Sequence, residues 1–108
     1  MLELTPQQVA ILERLVEHGF RPTAFPLYAS HIGVRKGNCA VLLAPVDDAG
    51  MIIFGEPCYL VNGNLTVRVK RAGREWFVWK KTELEATPER LAELALFTNE
   101  LTSLVSVG

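Results

Sequence analysis

Cys39, Cys58, His18 and His31 are the side chains in this sequence best suited to nucleophilic or proton-transfer chemistry near neutral pH. A working thiol must be partly exposed and held as the thiolate. Both cysteines instead sit in apolar, strand-like runs, Cys39-Ala-Val-Leu-Leu and Cys58-Tyr-Leu-Val. Such runs predict buried, free thiols. A zinc site would need closely spaced ligand pairs, and none is present. Ser30 and His31 are adjacent, so on a strand they point to opposite faces and cannot act as nucleophile and base. A pairing of His31 with Cys39 or Cys58 would depend on what the fold brings together. His18 falls in the last turn of a predicted helix, where the helix dipole favours an imidazolium, so capping is its expected role. Glu83 and Glu85 alternate with Leu84 and Ala86, as at the end of an edge strand, and read as solvated. The glycines are scattered as turn residues and form no phosphate-binding loop. The chain therefore shows no catalytic residue set, and no metal or cofactor is expected.

The most informative constellation lies between Pro57 and Lys81. Asn62-Gly63 suits a two-residue type I′ turn, and Ala72-Gly73 gives a second turn. These turns set a register: Tyr59 opposite Thr66, Cys58 opposite Val67, Arg68 opposite Phe77, Lys70 opposite Glu75 and Thr66 opposite Trp79. One face then carries Cys58, Leu60, Leu65, Val67, Val69, Trp76 and Val78, and reads as the core face. The other carries Tyr59, Val61, Thr66, Arg68, Lys70, Glu75, Phe77, Trp79 and Lys81. A sheet with one wet face would not be this apolar on both sides. The second face thus becomes the candidate binding surface, with Tyr59, Thr66, Arg68, Phe77, Trp79 and Lys81 as its site residues. Aromatic residues and arginine are the residues enriched at interface cores. Three covers suit such a face: a helix of the same chain, a second protein surface, or single-stranded nucleic acid stacked on Tyr59, Phe77 and Trp79.

The elements that position these residues are well marked at the ends. Thr5 is an N-cap, Pro6 fits the first helical position, and Gln8 completes a capping box. Leu4 and Val9 suit a hydrophobic staple, and Val9, Leu12, Leu15 and Val16 recur at helical spacing up to a stop at Gly19. The second helix opens at Thr87-Pro88 and carries the stripe Leu91, Leu94, Ala95, Leu101 and Leu104. Strands are expected near 27–34, 38–44, 51–55, 58–61, 64–70 and 75–81. Lys36-Gly37 reads as a turn, and Pro45 to Gly50 as a polar loop. In 38–44 both alternating sets are apolar, which predicts a central strand covered on both sides.

With 108 residues, the chain is one domain, and its 49% apolar and 21% charged composition is that of a globular protein. No apolar run approaches the roughly 20 residues that span a bilayer. The first residues lack a basic segment followed by an apolar one, so a cytoplasmic location is expected. The net charge of −1 hides an asymmetry. Residues 1–20 carry three acids and one base, residues 21–81 nine bases and four acids, and residues 82–108 five acids and one base. Internal complementarity between a basic sheet and acidic helices is the expected use of this pattern, with Glu89 and Glu93 as partners for Lys80. Nucleic acid is the less expected partner.

The fold expectation is α+β: an antiparallel β-meander of five to six strands flanked by an N-terminal and a C-terminal helix, as a single domain over residues 1–108. The functional expectation is a non-enzymatic binding domain that forms a homodimer, or binds another protein, through the aromatic face. Two alternatives are an enzyme or small-ligand binder with a pocket between sheet and helices near His31 and the cysteines, and a single-stranded nucleic-acid-binding module.

Overall fold

A computed structural model describes residues 4–25, 28, 30–47 and 50–106. Helix α1 spans Pro6–Glu17 and helix α2 Pro88–Ser106. Between them lie β1 (Arg21–Thr23), β2 (Ile32–Lys36), β3 (Cys39–Val46), β4 (Gly50–Tyr59), β5 (Val67–Arg71), β6 (Arg74–Trp79) and β7 (Thr82–Glu85). All pairings are antiparallel, but the strands form two sheets, β1-β2-β3-β4 and β5-β6-β7. The α+β class and the flanking helices are as expected; the division into two sheets, with seven strands among the described residues, is not. The molecule is elongated, 46 × 26 × 20 Å, with a radius of gyration of 14.3 Å. A compact chain of this length would give about 13 Å.

The helix starts form as the sequence requires. Thr5 Oγ1 accepts from Gln8 N, and Gln8 Oε1 accepts from Thr5 N, closing the capping box. Gln8 does more than cap. It is buried, and its Nε2 donates to the carbonyls of Asp47 and Gly50 at 3.0 and 3.2 Å, fastening α1 to the β3–β4 turn. The inward stripe of α1 is therefore Gln8, Ile11 and Leu15, with Leu12 partly buried, while Val9 and Val16 of the expected stripe are exposed. At the far end Phe20 N donates to Leu15 O, and the buried Phe20 ring meets Phe97 of α2 at 5.4 Å. His18 is the C-cap, with Nδ1 2.9 Å from Arg14 O, which agrees with its capping role.

The four-stranded sheet holds the centre. Cys39, Val41 and Leu43 of β3 face the helices in one core with Ile11, Leu15, Leu94, Phe97 and Leu101. Ala40 and Leu42 face the other way under Phe25, with Leu60 and Leu65 beside them. Strand 3 is thus covered on both sides, as its double apolar pattern demands. Gly33 makes the second cover possible. A Cβ there would stand 2.3 Å from Thr23 O and 2.4 Å from the Phe25 ring, so only glycine lets that ring lie on the sheet.

Strand 4 explains why the sheets part. Residues 51–55 and 58–61 were expected as separate strands, yet Gly50–Tyr59 runs continuously along β3 with a register shift opposite Ala40–Leu42. Phe54 pairs with Leu42 and Cys58 with Ala40, so Gly55-Glu56-Pro57 bulges out, with Gly55 at φ +75°. Cys58 and Tyr59 therefore pair with β3, not with β5. Of the expected Asn62-Gly63 hairpin only the bridge Val61↔Asn64 forms, with both turn residues at positive φ. The other hairpin has the expected register: Val67↔Val78, Arg68↔Phe77, Val69↔Trp76 and Lys70↔Glu75. Its ladder stops at Val67↔Val78, so Thr66 and Trp79 do not pair.

The two faces of this smaller sheet are the reverse of the expectation. Phe77 is 0% exposed and belongs to the main core with Tyr59, Leu84 and Ala86. Val67, placed on the expected core face, is 68% exposed. Helix α2 leaves β7 through Ala86-Thr87 and turns over the Phe77 side, and this decides which face is inside. Positions 27 and 29, in the expected first strand, and positions 48 and 49 of the expected polar loop lie outside the described residues.

Candidate functional site

The six residues of the expected binding face separate into two groups. Tyr59 and Phe77 are buried and stack with centroids 5.4 Å apart. The Tyr59 hydroxyl donates to Glu93 Oε1 at 2.6 Å and accepts from Asn38 Nδ2 at 3.3 Å. Thr66 joins them, its Oγ1 donating to Tyr59 O at 2.6 Å. A helix of the same chain therefore covers Tyr59 and Phe77, and neither is available to a second molecule. Arg68 and Lys81 are exposed, and Trp79 is half-buried at the far end of β6, where it pairs with Thr82. Lys80 is not on a core face. It sits in the β6–β7 turn at φ +53°, with Nζ 4.7 Å from the Trp79 ring.

Glu93, expected near Lys80, instead serves the β2–β3 turn. Its Oε2 lies 3.4 Å from both Asn38 N and Asn38 Nδ2. The Tyr59–Glu93 contact holds the phenol above its ordinary pKa, because the carboxylate accepts the phenol proton's hydrogen bond; burial adds to this. Asn38 follows a turn signal and Glu93 follows an apolar helical stripe, so nothing in their spacing marks them as partners.

The cysteines occupy opposite faces of neighbouring strands. Cys39 points into the main core and Cys58 to the other side, paired across from Ala40. Both are free and buried. Burial pushes the Cys39 thiol up to about 12, with Glu93 and Cys58 adding to the rise. Burial likewise raises Cys58, against a lowering hydrogen bond from Thr66 N at 3.4 Å. Neither thiol is tuned for nucleophilic attack. His31 does not approach them through any described contact. Its ring lies on Phe54 at 4.1 Å, and its Nδ1 is 3.4 Å from Ser30 Oγ. Ser30 sits in a turn just before β2, not on the strand, so the two side chains reach each other despite being adjacent. The contact is long and exposed, and no described group orients the ring further. Among the described residues, no group of three or more His, Cys, Asp or Glu is placed to hold a metal ion. Among the described residues, no helix is long and apolar enough to cross a membrane.

Two other features carry the structure's capacity for binding. The first is the outer face of the smaller sheet, where Val67, Val69, Trp76 and Val78 share one side by register. Arg71 and Arg74 stand at its hairpin end, and Glu83 and Glu85 on β7, with ion pairs Arg71–Glu83 and Arg74–Glu85. The second is a set of three hollows that all include Glu56 of the β4 bulge. One of about 170 Å³ reaches Phe54 and Tyr28, one of about 250 Å³ lies between Glu56–Cys58 and Thr66–Arg68, and one of about 550 Å³ runs under α2. The sequence expectation ends one strand at Gly55 and starts the next at Cys58, which hides the bulge that opens these hollows.

The charge asymmetry is used internally. Lys36–Glu100, Arg71–Glu83 and Arg74–Glu85 each join a base of the middle segment to an acid of the C-terminal one. Comparison of this chain with protein-family models, with curated proteins and with solved structures finds no match.

Proposed function

We propose that this chain is a small non-enzymatic interaction domain that associates with a second copy of itself through the outer face of the β5–β6–β7 sheet. One observation carries the reading: Val67 is 68% exposed, on the same face as the partly exposed Val69, Trp76 and Val78, and none of the four belongs to a core cluster of the described residues. A contiguous apolar strip with a charged rim is the usual form of a protein-binding surface. The rim is suited to self-association. A two-fold axis along the strands lays β5 of one copy over β7 of the other, which brings Arg71 of each copy toward Glu85 of the other. Of the face expected from sequence, Trp79 and Lys81 lie at the end of this sheet, and Arg68 lies on its opposite side.

Light scattering of the purified chain tests the proposal. A mass of two chains is expected at tens of micromolar, as for an interface near the lower limit of about 1,200 Å². Trp76→Glu should remain folded and give one chain at the same concentration. A wild-type mass of one chain, or an unchanged mass for Trp76→Glu, would remove the reading.

A further inference from the structure

We propose that the hollow between Tyr28, Phe54 and Glu56 is a binding site for a small quaternary ammonium cation such as choline, its methyl groups against the two rings and its charge beside the carboxylate. The site shares no residue with the outer face of the β5–β6–β7 sheet, so it and the proposed association stand or fall separately.

The β4 bulge and the turn before β2 build the hollow from opposite sides. Phe54 is the cross-strand partner of Leu42, on the face of the larger sheet turned away from the helices. Past Phe54 the chain leaves the ladder at Gly55 and rejoins it at Cys58, which carries the exposed Glu56 to the rim. Tyr28 is fixed over the same face by a short turn. Its N–H donates to Phe25 O at 2.8 Å, and its carbonyl accepts from His31 N at 3.0 Å. The hollow between them has a volume of about 170 Å³ and a floor of Leu42, Cys58 and Leu65. An apolar cavity of about 150 Å³ takes a benzene-sized guest, and a trimethylammonium group is of that size.

The rings are available to a guest. Tyr28 and Phe54 are 40% and 44% exposed, and among the described residues no ring contact joins one to the other. His31 packs on the Phe54 ring at 4.1 Å and steadies it, but is not part of the lining. Two aromatic rings set apart across a hollow attract a cation through the negative potential of their faces. The counter-charge is available too. Glu56 is the one charged side chain in the lining, and it makes no ion pair or hydrogen bond among the described residues. Arg68 lines the neighbouring hollow but not this one. Burial keeps Cys58 as the neutral thiol, so it adds no second charge. The remaining walls decide between kinds of cation. A primary ammonium brings three N–H donors that Leu42, Leu65 and the rings cannot satisfy. A quaternary ammonium brings none, and its methyl groups suit these walls.

The test is an NMR titration of the isotopically labelled chain with choline chloride at constant ionic strength. The amides of Leu42, Phe54, Glu56, Cys58 and Thr66 should shift, with a Kd of about 1–10 mM. Neohexyl alcohol, which is choline with carbon in place of nitrogen, should bind about tenfold more weakly. Phe54→Leu keeps the wall apolar but removes one ring, and should weaken choline about threefold or more. Glu56→Gln keeps the shape but removes the counter-charge, and should weaken choline while leaving the neutral alcohol unchanged. Phosphocholine separates a free cation from a lipid headgroup. Glu56 repels its phosphate, so it should bind more weakly than choline; binding as tight as choline's would overturn the free-cation assignment. Trp76→Glu should bind choline as the wild type does, since that residue lies on the other sheet. No shift at about 50 mM choline, equal binding of choline and the neutral alcohol, or a Glu56→Gln variant that binds choline unchanged would each overturn the proposal.

Discussion

The two sheets of this molecule are built from the same kind of antiparallel ladder, yet they differ sharply in cover. Strand 3 has helices on one face and Phe25, Leu60 and Leu65 on the other. Strand 6 has one buried anchor, Phe77, on its inner face and a half-exposed Trp76 on its outer one. Local pairing is therefore not what separates the regions; the path of α2 is. Where the helix and the Phe25 segment both close over a sheet, the strands form a core. Where only the helix reaches, the apolar side chains of the other face stay outside the core. Local opening free energies follow burial, so the smaller sheet should open well before the larger one.

The largest expected effect tests that difference through Phe77. Phe77→Ala should cost about 3–5 kcal/mol, since it removes a fully buried ring packed on Tyr59. Trp76→Ala, in the same strand, should cost far less, because its side chain faces outward. Urea unfolding of both variants gives the comparison. In native-state hydrogen exchange, β5 and β6 amides should exchange faster than those of β3, and Phe77→Ala should widen the gap. Equal costs at 76 and 77, or uniform protection across both sheets, would show that the outer face is covered after all.

Much of the architecture is legible in the sequence, for identifiable reasons. Caps are local, so Thr5, Gln8 and Thr87 mark the helix starts where they occur. The Ala72-Gly73 turn is local too, and it yields four correct cross-strand pairs. The face that points inward is not local. Counting apolar residues favours the Val67–Val69–Trp76–Val78 side, but α2 arrives from β7 on the Phe77 side. Arg21–Thr23 escaped notice as a strand because a three-residue edge with a proline has no apolar pattern to read. Phe97 was missed for a related reason: it lies between Leu94 and Leu101, where leucines dominate the stripe, yet it is the ring that Phe20 meets. The candidate site was only partly legible. Arg68 and the sheet it lies on could be named, but the hollow beside it depends on a bulge at Gly55–Pro57 that reads as an ordinary turn.

A pH experiment probes the covered sheet alone. The Cys39 thiol is raised from its ordinary 9.0 to about 12 in the folded chain, chiefly by burial. Its folded value is the higher one, so the unfolded chain loses the proton first. The stability that this thiol contributes is fully present below pH 9.0 and declines as pH rises toward about 12. Unfolding at stepped alkaline pH should show this decline, and Cys39→Ala should show a shallower one on a lower starting stability. Cys39 should also react slowly with a thiol reagent in native buffer and fast in denaturant. Identical alkaline slopes for the two proteins would mean that the thiol is not desolvated.

Gly33 sharpens the comparison from the outer side of the same sheet. Gly33→Ala places a methyl against Thr23 O and the Phe25 ring, neither of which has room to spare. The expected cost is about 1–3 kcal/mol, the range for forcing an extra carbon into a packed site. Loss of the Phe25 cover should follow, so Ala40 and Leu42 would become as open as the outer face of β6. Dye binding to exposed apolar surface should then rise in the variant. An unchanged unfolding midpoint would indicate that Phe25 is not held against the sheet.

The smallest expected effect compares one ion pair from each region. Lys36–Glu100 and Arg71–Glu83 are both surface pairs by exposure, and such pairs are worth about 0–1 kcal/mol. Their surroundings differ. Lys36 Nζ also donates to His18 O at 2.7 Å and lies 5.0 Å from the Phe20 ring, so one side chain links the end of α1, β2 and α2. Among the described residues, the Arg71 side chain is held by Glu83 alone. Lys36→Met should therefore cost about 1 kcal/mol, because it leaves a C-cap carbonyl and Glu100 without this donor. Arg71→Met should fall within about 0.5 kcal/mol of the wild type, as surface substitutions usually do. Salt should separate them as well: added sodium chloride should erase what Arg71 contributes and spare most of the Lys36 effect, since screening acts chiefly on exposed charge. If both substitutions cost the same and both effects vanish in salt, the Lys36 contacts are only surface contacts. The polar links between the larger sheet and its helices would then be those of Gln8 and Glu93.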